Sequence, residues 1–333
     1  MGQAKRAHIL VLTLLAAAGC REKYRPKSLA ELTGPFKIIN VHEHIQSRRV
    51  APKLLRVMDD LSIARTVLCA GSMKTTHHKK YGFVGYDENN QEMLEIAKIW
   101  PERFIPFVTL NPRDQDNVAR LERWVKAGAK GLKLYSGHGM FYDLPLDDPG
   151  MVAVYKWAAA HKLPVLWHVN TGKENYFKEF KSALDQAPGL ILIAPHHCMS
   201  TTNPKRVREL FLRYPTLYTD ISHGTPAFMA DALRRIAKNP KDFTDLYREF
   251  PDRFMWGSDT VVTPNKKKTA AWMKTMCGMY FGMLGDKEFV VHTYDDGYNE
   301  TGTERLPGLD LPEDLRRRIL QTNAERILGL KPL

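Results

Sequence analysis

Short runs of β-branched and aliphatic residues recur along this chain. They alternate with longer stretches in which apolar residues return every three or four positions. The short runs at 37–44, 65–70, 103–110, 129–135, 163–169, 190–196, 216–221 and 254–258 predict eight strands. The stretches between them, such as 92–100, 116–127, 149–162, 204–213 and 227–238, predict amphipathic helices. In one of these Asp148 stands where a cap is needed and Pro149 takes the first helical position, with Val154, Trp157 and Ala158 on the apolar face. The closing segment, Pro312 to Leu328, carries Ile319, Leu320, Ala324, Ile327 and Leu328 on one stripe and stops at Gly329. Before it, Asp286 to Asp310 reads as an insertion that either covers the mouth of the fold or forms an interface.

Several strand runs are apolar without alternation, as in Leu190-Ile191-Leu192-Ile193-Ala194, which is expected of parallel strands buried on both faces. Eight strands alternating with helices predict a (β/α)8 TIM barrel, with residues 21–333 as a single domain. A doubly wound open sheet is the alternative, but no glycine-rich phosphate loop follows the first strand. With 333 residues, 44% of them hydrophobic, the chain can bury a core of that size.

The first twenty residues fall outside this pattern. Lys5 and Arg6 precede an apolar stretch from Ile9 to Ala18, and Ala17-Ala18-Gly19-Cys20 forms a small-residue site. This is the layout of an export signal, too short in its apolar part to span a bilayer as a helix. Cys20 directly after Ala-Gly resembles the bacterial lipoprotein signal, with Ala17 in place of the usual Leu. The expectation is a periplasmic protein held to the membrane only by a lipid on Cys20. Arg21 follows, with no acidic residue that would favour retention at the inner membrane. The remaining cysteines, Cys69, Cys198 and Cys277, are too few for a disulfide framework, and Cys69 reads as a small buried hydrophobe.

The formal net charge is +12, but the basic residues are dispersed, apart from Lys266-Lys267-Lys268. No zinc-finger spacing, basic heptad region or RNA-binding aromatic signature accompanies them, which argues against nucleic acid as a partner. The charge reads first as a solvated face that keeps the protein soluble, with an anionic substrate or an anionic membrane surface as the sharper alternative.

The predicted strands end in polar residues. Strand one ends in His42-Glu43-His44, whose two imidazoles share a face by the period-two rule and suit a divalent metal. Strand four carries Lys133, strand five ends in His168, and strand six ends in His196-His197. Strand seven ends in Asp220 and strand eight in Asp259. In a barrel of this kind the active site is built from the C-terminal ends of several strands.

The order and wording of these motifs resemble the amidohydrolase superfamily, closest to the branch of aminocarboxymuconate-semialdehyde decarboxylase and related hydrolases and hydratases. The resemblance runs from His42 to the final helix. It rests on His42-Glu43-His44, His168 after an apolar run, the strand-six histidine, Gly257-Ser258-Asp259 and Asn323-Ala324-Glu325-Arg326. It implies one divalent metal ion, zinc or alternatively manganese, held by His42, His44, His168 and Asp259. It also implies His196 as the assisting base and a second, catalytic duty for Asp259. His196 and not His197 fits the family order, although Cys198 stands where the family has glycine. Lys133 has three readings: a carbamylated bridge between two metals, a cation for a substrate carboxylate, or an ion-pair partner. Asp220 reads as structural, bonding backbone or a neighbouring histidine.

Three imidazoles and a carboxylate leave an open position of the catalytic kind. The expected activity is hydrolysis, with metal-activated water attacking an amide, ester or lactone C–N or C–O bond of a small anionic molecule. A decarboxylase or hydratase on the same site is the runner-up, and an exported binding lipoprotein without catalysis is the third reading. Lys133, Arg48 and Tyr135 are the candidate substrate-binding residues. Arg49, Lys74, Lys79, Lys80, Tyr81, Phe83, His138, Tyr142, Lys173 and His223 also fall in loops at the same end. The pair His77-His78 lacks further ligands for a second metal. A homodimer is compatible with the sequence.

Overall fold

The computed structural model describes residues 27–71, 83–138, 144–201 and 203–333. The export signal and Cys20 lie outside them, as do Lys74, His77, His78, Lys79, Lys80, Tyr81 and Tyr142. Eight parallel strands stand in sequence order: β1 (Ile38–His44), β2 (Ile63–Cys69), β3 (Phe104–Thr109), β4 (Gly131–Leu134), β5 (Val165–Trp167), β6 (Leu192–Ile193), β7 (Leu217–Asp220) and β8 (Phe254–Met255). The sheet closes into a (β/α)8 barrel through main-chain bonds between the first and last segments. Val41 N donates to Trp256 O, Asp259 N to His42 O and Val262 N to His44 O, at 3.0, 2.8 and 2.7 Å. A single parallel barrel follows from the continuous apolar runs, because each strand is packed on both sides.

Inside the barrel, Ile39, Val67, Phe107, Leu166 and Met255 fill the centre, and Ala324 and Ile327 of the last helix join them. That helix, which passes through a π turn at Arg318–Thr322, therefore plugs the end opposite the catalytic mouth. A second cluster packs the outer strand faces against the surrounding helices. Asp148 caps the helix Pro149–Ala160, accepting from the amides of Gly150 and Met151. Such a cap is worth about 1 kcal/mol. Among the described residues no helix is long and apolar enough to cross a membrane.

The insertion is an antiparallel hairpin, β9 (Glu288–Tyr294) and β10 (Glu300–Pro307), which follows the helix Ala270–Gly285. Its turn reaches back to the mouth. Tyr298 meets Trp272 edge-on and receives the Lys268 ammonium over its ring at 4.7 Å. The sequence left mouth and interface open as roles for this segment, and the tip stands at the mouth.

Candidate metal centre and active site

On β1 the inward side chains begin as Ile39 and Val41, and strict alternation would send Glu43 inward next. A bulge between Asn40 and Glu43, opposite Thr66 and Leu68 of β2, inserts one extra residue and shifts the phase. His42 and His44 therefore turn to the interior. Glu43 instead reaches the segment after β8, where Ser258, Thr260 and Val261 donate to it. Gly257 is required at this point, since a Cβ there would stand 2.6 Å from the Cβ of His42.

Each imidazole of this pair has its outer nitrogen committed. His42 Nδ1 meets Asp220 Oδ2 at 2.9 Å, and His44 Nδ1 meets the Cys69 carbonyl at 3.2 Å. A ring that donates from Nδ1 keeps its lone pair on Nε2. The two Nε2 atoms are 3.2 Å apart, and Asp259 Oδ1 lies 3.7 and 3.6 Å from them. Bonds of about 2.0–2.1 Å at tetrahedral angles place ligand atoms about 3.3–3.4 Å apart, so this triangle has the size of a coordination face. Lone pairs facing one another in a buried site call for a cation between them, and the donor set suits a divalent metal.

Burial sets the charge states. It lowers His42 to about 3, with Lys133 adding to the effect, and it lowers His44, His168 and His196 as well. All four are neutral at physiological pH, as metal ligands and proton acceptors must be. Burial pushes Asp259 well above the usual carboxylate range, with Lys133 opposing it. Burial would also raise Asp220, but His42, followed by His196 and Ser222, outweighs it and keeps this carboxylate ionised.

His196 does not end a strand. β6 stops at Ile193, and His196, His197, Cys198 and Met199 all have φ between 54° and 62°, the left-handed region. Four such residues in a row are costly, roughly 1–2 kcal/mol each. They are held by His196 N on Asp220 Oδ1, Cys198 N on Thr219 Oγ1 and the Thr171 hydroxyl on the Cys198 carbonyl. The turn aims His196 inward, with Nε2 3.8 Å from Asp259 Oδ2, and sends His197 outward onto the Tyr247 hydroxyl. His196 Nδ1 meets the Ser222 carbonyl at 2.6 Å, which leaves Nε2 as the basic atom. His168 joins the cluster through His196, with 3.2 Å between its Nδ1 and His196 Nε2, and its ring lies tilted against His138, 4.3 Å between centroids.

Lys133 is buried on the floor of the site, with its amine 3.0 Å from His42 Nε2. Tyr135 is buried beside it, its hydroxyl on the Ala70 carbonyl and 3.3 Å from His44 Nδ1. Arg48 does not join them. It is exposed beyond β1, its amide on Glu92, and lines a surface hollow with Asp87, Glu88, Gln91 and Glu95. Its amide ties it to Glu92 on the helix Tyr86–Ile99, and no contact joins it to Lys133 or Tyr135 among the described residues. Lys173 lies over the Tyr176 ring, while Phe83 reaches within 5.9 Å of Tyr135. His223 is buried between His196 and His197. A cleft of about 300 Å³ opens next to Asp259, lined by Gln46, Gly224, Thr260, Lys268 and Tyr298.

Sequence reasoning missed three contributors: Ser222 and Cys69, which end up among the histidines, and Glu43, which holds the Asp259 segment. Only the wording Glu43 between two histidines gave any signal.

The family model for amidohydrolase, Amidohydro_2, matches residues 66–330, and the chain belongs to that family. No curated protein matches it in sequence. Among solved structures it is similar to a probable 2-pyrone-4,6-dicarboxylic acid hydrolase from Acinetobacter baumannii with citric acid bound. That match has 14% identity and a TM-score of 0.59, covering 88% of this chain and all of the other. A putative hydrolase of the same kind from Pseudomonas putida matches at 15% and 0.59, over 88% and 98% of the two chains. A 2,6-dihydroxybenzoate decarboxylase from Rhizobium matches at 15% and 0.54, over 88% and 99%. At these identities the likeness establishes the barrel fold.

Proposed function

We propose that the protein is a metal-dependent hydrolase that opens an ester, lactone or amide bond in a small anionic molecule. One observation carries the reading: the carboxylate of Asp259 divides its oxygens, Oδ1 facing the His42 and His44 lone pairs and Oδ2 facing His196 Nε2. His42, His44 and Oδ1 of Asp259 would hold one divalent ion, zinc by its nitrogen and oxygen donors, and the family pattern adds His168, whose ring stands against His196. Such an ion supplies Lewis acidity toward water and a substrate carbonyl. The Oδ2 side handles the proton. His196 Nε2 would accept it, and Asp259 Oδ2, 3.8 Å away, would relay it toward the leaving group once the two close to hydrogen-bond length. Lys133 stands on the floor of the site, where burial lowers its pKa, and its amine would donate to a substrate carboxylate, while the Tyr135 hydroxyl lies against His44.

The test is metal analysis of the purified full chain together with two assays. One follows loss of the ring absorbance of 2-pyrone-4,6-dicarboxylate, a lactone, and the other carbon dioxide release from 2,6-dihydroxybenzoate. About one metal per chain and metal-dependent ring opening are expected. Carbon dioxide release without ring opening would move the protein to the decarboxylases, and full activity after chelation would remove the metal from the mechanism. The proposal also places the protein in the periplasm, anchored through Cys20. Acyl labelling in cells, abolished by Cys20→Ser, tests that part.

A further inference from the structure

We propose that Cys69 is a direct ligand of the metal centre, through its sulfur, alongside His42 and His44. The inference rests on the metal-dependent reading above.

Cys69 is the last residue of β2 and pairs in register with His44 of β1. Neighbours in register on parallel strands point to the same side, and Val67 and Cys69 line the barrel interior at successive levels. The Cys69 sulfur and the ring nitrogens of His42 and His44 lie within 4.8 Å of one another, all on buried residues. Its carbonyl meets His44 Nδ1 at 3.2 Å, so the cysteine orients one ligand while its side chain stands beside it.

Cys69 sits at the upper edge of the apolar barrel filling, where that filling meets the imidazoles of His42 and His44. On binding, the S–H bond breaks, the proton leaves to buffer, and the sulfur electron pair goes to the ion. A sulfur ligand also selects. Thiolate prefers zinc and cobalt over manganese and magnesium, so the site would favour soft metals more than nitrogen and oxygen donors alone.

The experiment loads the full metal-free chain with cobalt(II) alone and records its absorption. A sulfur-to-cobalt charge-transfer band in the near ultraviolet is expected. Cys69→Ser should lose the band and bind cobalt at least tenfold more weakly, while Cys198→Ser and Cys277→Ser should retain both. Bound cobalt without the band in the wild type overturns the assignment of Cys69 and leaves the metal-dependent reading standing. A band that persists in Cys69→Ser overturns it too. No cobalt uptake by the wild type overturns both. The wild-type spectrum decides the matter even if Cys69→Ser folds poorly.

Discussion

One oxygen of Glu43, Oε2, accepts from both the hydroxyl and the amide of Thr260, at 2.6 and 3.3 Å. Asp259, the residue before Thr260, has φ +48°, and Val261, the residue after it, has φ +52°. Non-glycine residues hold such conformations only when their surroundings over-determine them. Glu43 supplies much of that constraint, since it also accepts from Ser258 Oγ, Val261 N and His44 N. Glu43→Ala would strand these buried donors at once. We expect a loss of about 3–5 kcal/mol in urea denaturation, by the cost of unsatisfied buried groups. Metal content should fall as well, because the Asp259 segment loses its hold.

Asp220 acts on the metal centre through His42. Its Oδ1 takes the amides of His196 and Ser222, and its Oδ2 takes His42 Nδ1. In Asp220→Asn the amide oxygen can keep the backbone contacts, but the NH2 group then faces His42 and drives the imidazole proton to Nε2. The lone pair aimed at the metal is lost. Metal affinity measured by competition with a chelator should drop about 10- to 100-fold, as for other outer partners of a ligating histidine. Unfolding in urea should change far less, and unchanged affinity would sink the argument.

The sequence was most informative where one strand or helix decides the outcome. Eight apolar runs predicted eight barrel strands, and the Asp148 cap stands as expected. Features that depend on how two segments meet could not be read this way. The pair His42 and His44 shares a face by period two, but which face is decided by a bulge against β2. The turn at His196–Met199 breaks the strand pattern assumed for 190–196, and it is held by Thr171, Thr219 and Asp220 from distant positions. Cys69 looked like any small apolar residue because only the register of β1 against β2 sets it beside the imidazoles. The contact of Arg48 with Glu92, on the helix Tyr86–Ile99 some forty positions away, could not be read from the loop after strand one.

Lys268 gives stability a pH signature. Its amine donates to the carbonyls of Thr260 and Val261, and burial lowers it to about 8 from an ordinary value of 10.5. Because the folded-state value is depressed, keeping this lysine charged costs stability below pH 8. Between pH 8 and 10.5 the unfolded chain binds more protons, so the cost is relieved as pH rises. Wild type should gain on the order of 2 kcal/mol relative to Lys268→Met between pH 7.5 and 10, allowing for partial exposure. Paired urea titrations at the two values measure it, and a constant difference between the proteins would contradict it.

Replacing His42 and replacing Asp259 should have different consequences. His42→Ala removes an inward lone pair and the partner of Asp220, leaving that ionised carboxylate buried beside an empty space. Both metal and activity should disappear, with a stability loss of about 3 kcal/mol or more. In Asp259→Asn an amide oxygen can still face His42 and His44, while the NH2 group turns toward His196 Nε2. Burial already raises the Asp259 carboxyl, so a neutral side chain relieves a cost in the metal-free protein. The metal-free variant should therefore melt at or above metal-free wild type. Turnover should fall about 10²- to 10⁴-fold, because the group that relays the proton is gone. Melting curves with and without metal, alongside the ring-opening assay, separate the two variants. Full activity in Asp259→Asn would refute a catalytic duty for this carboxylate.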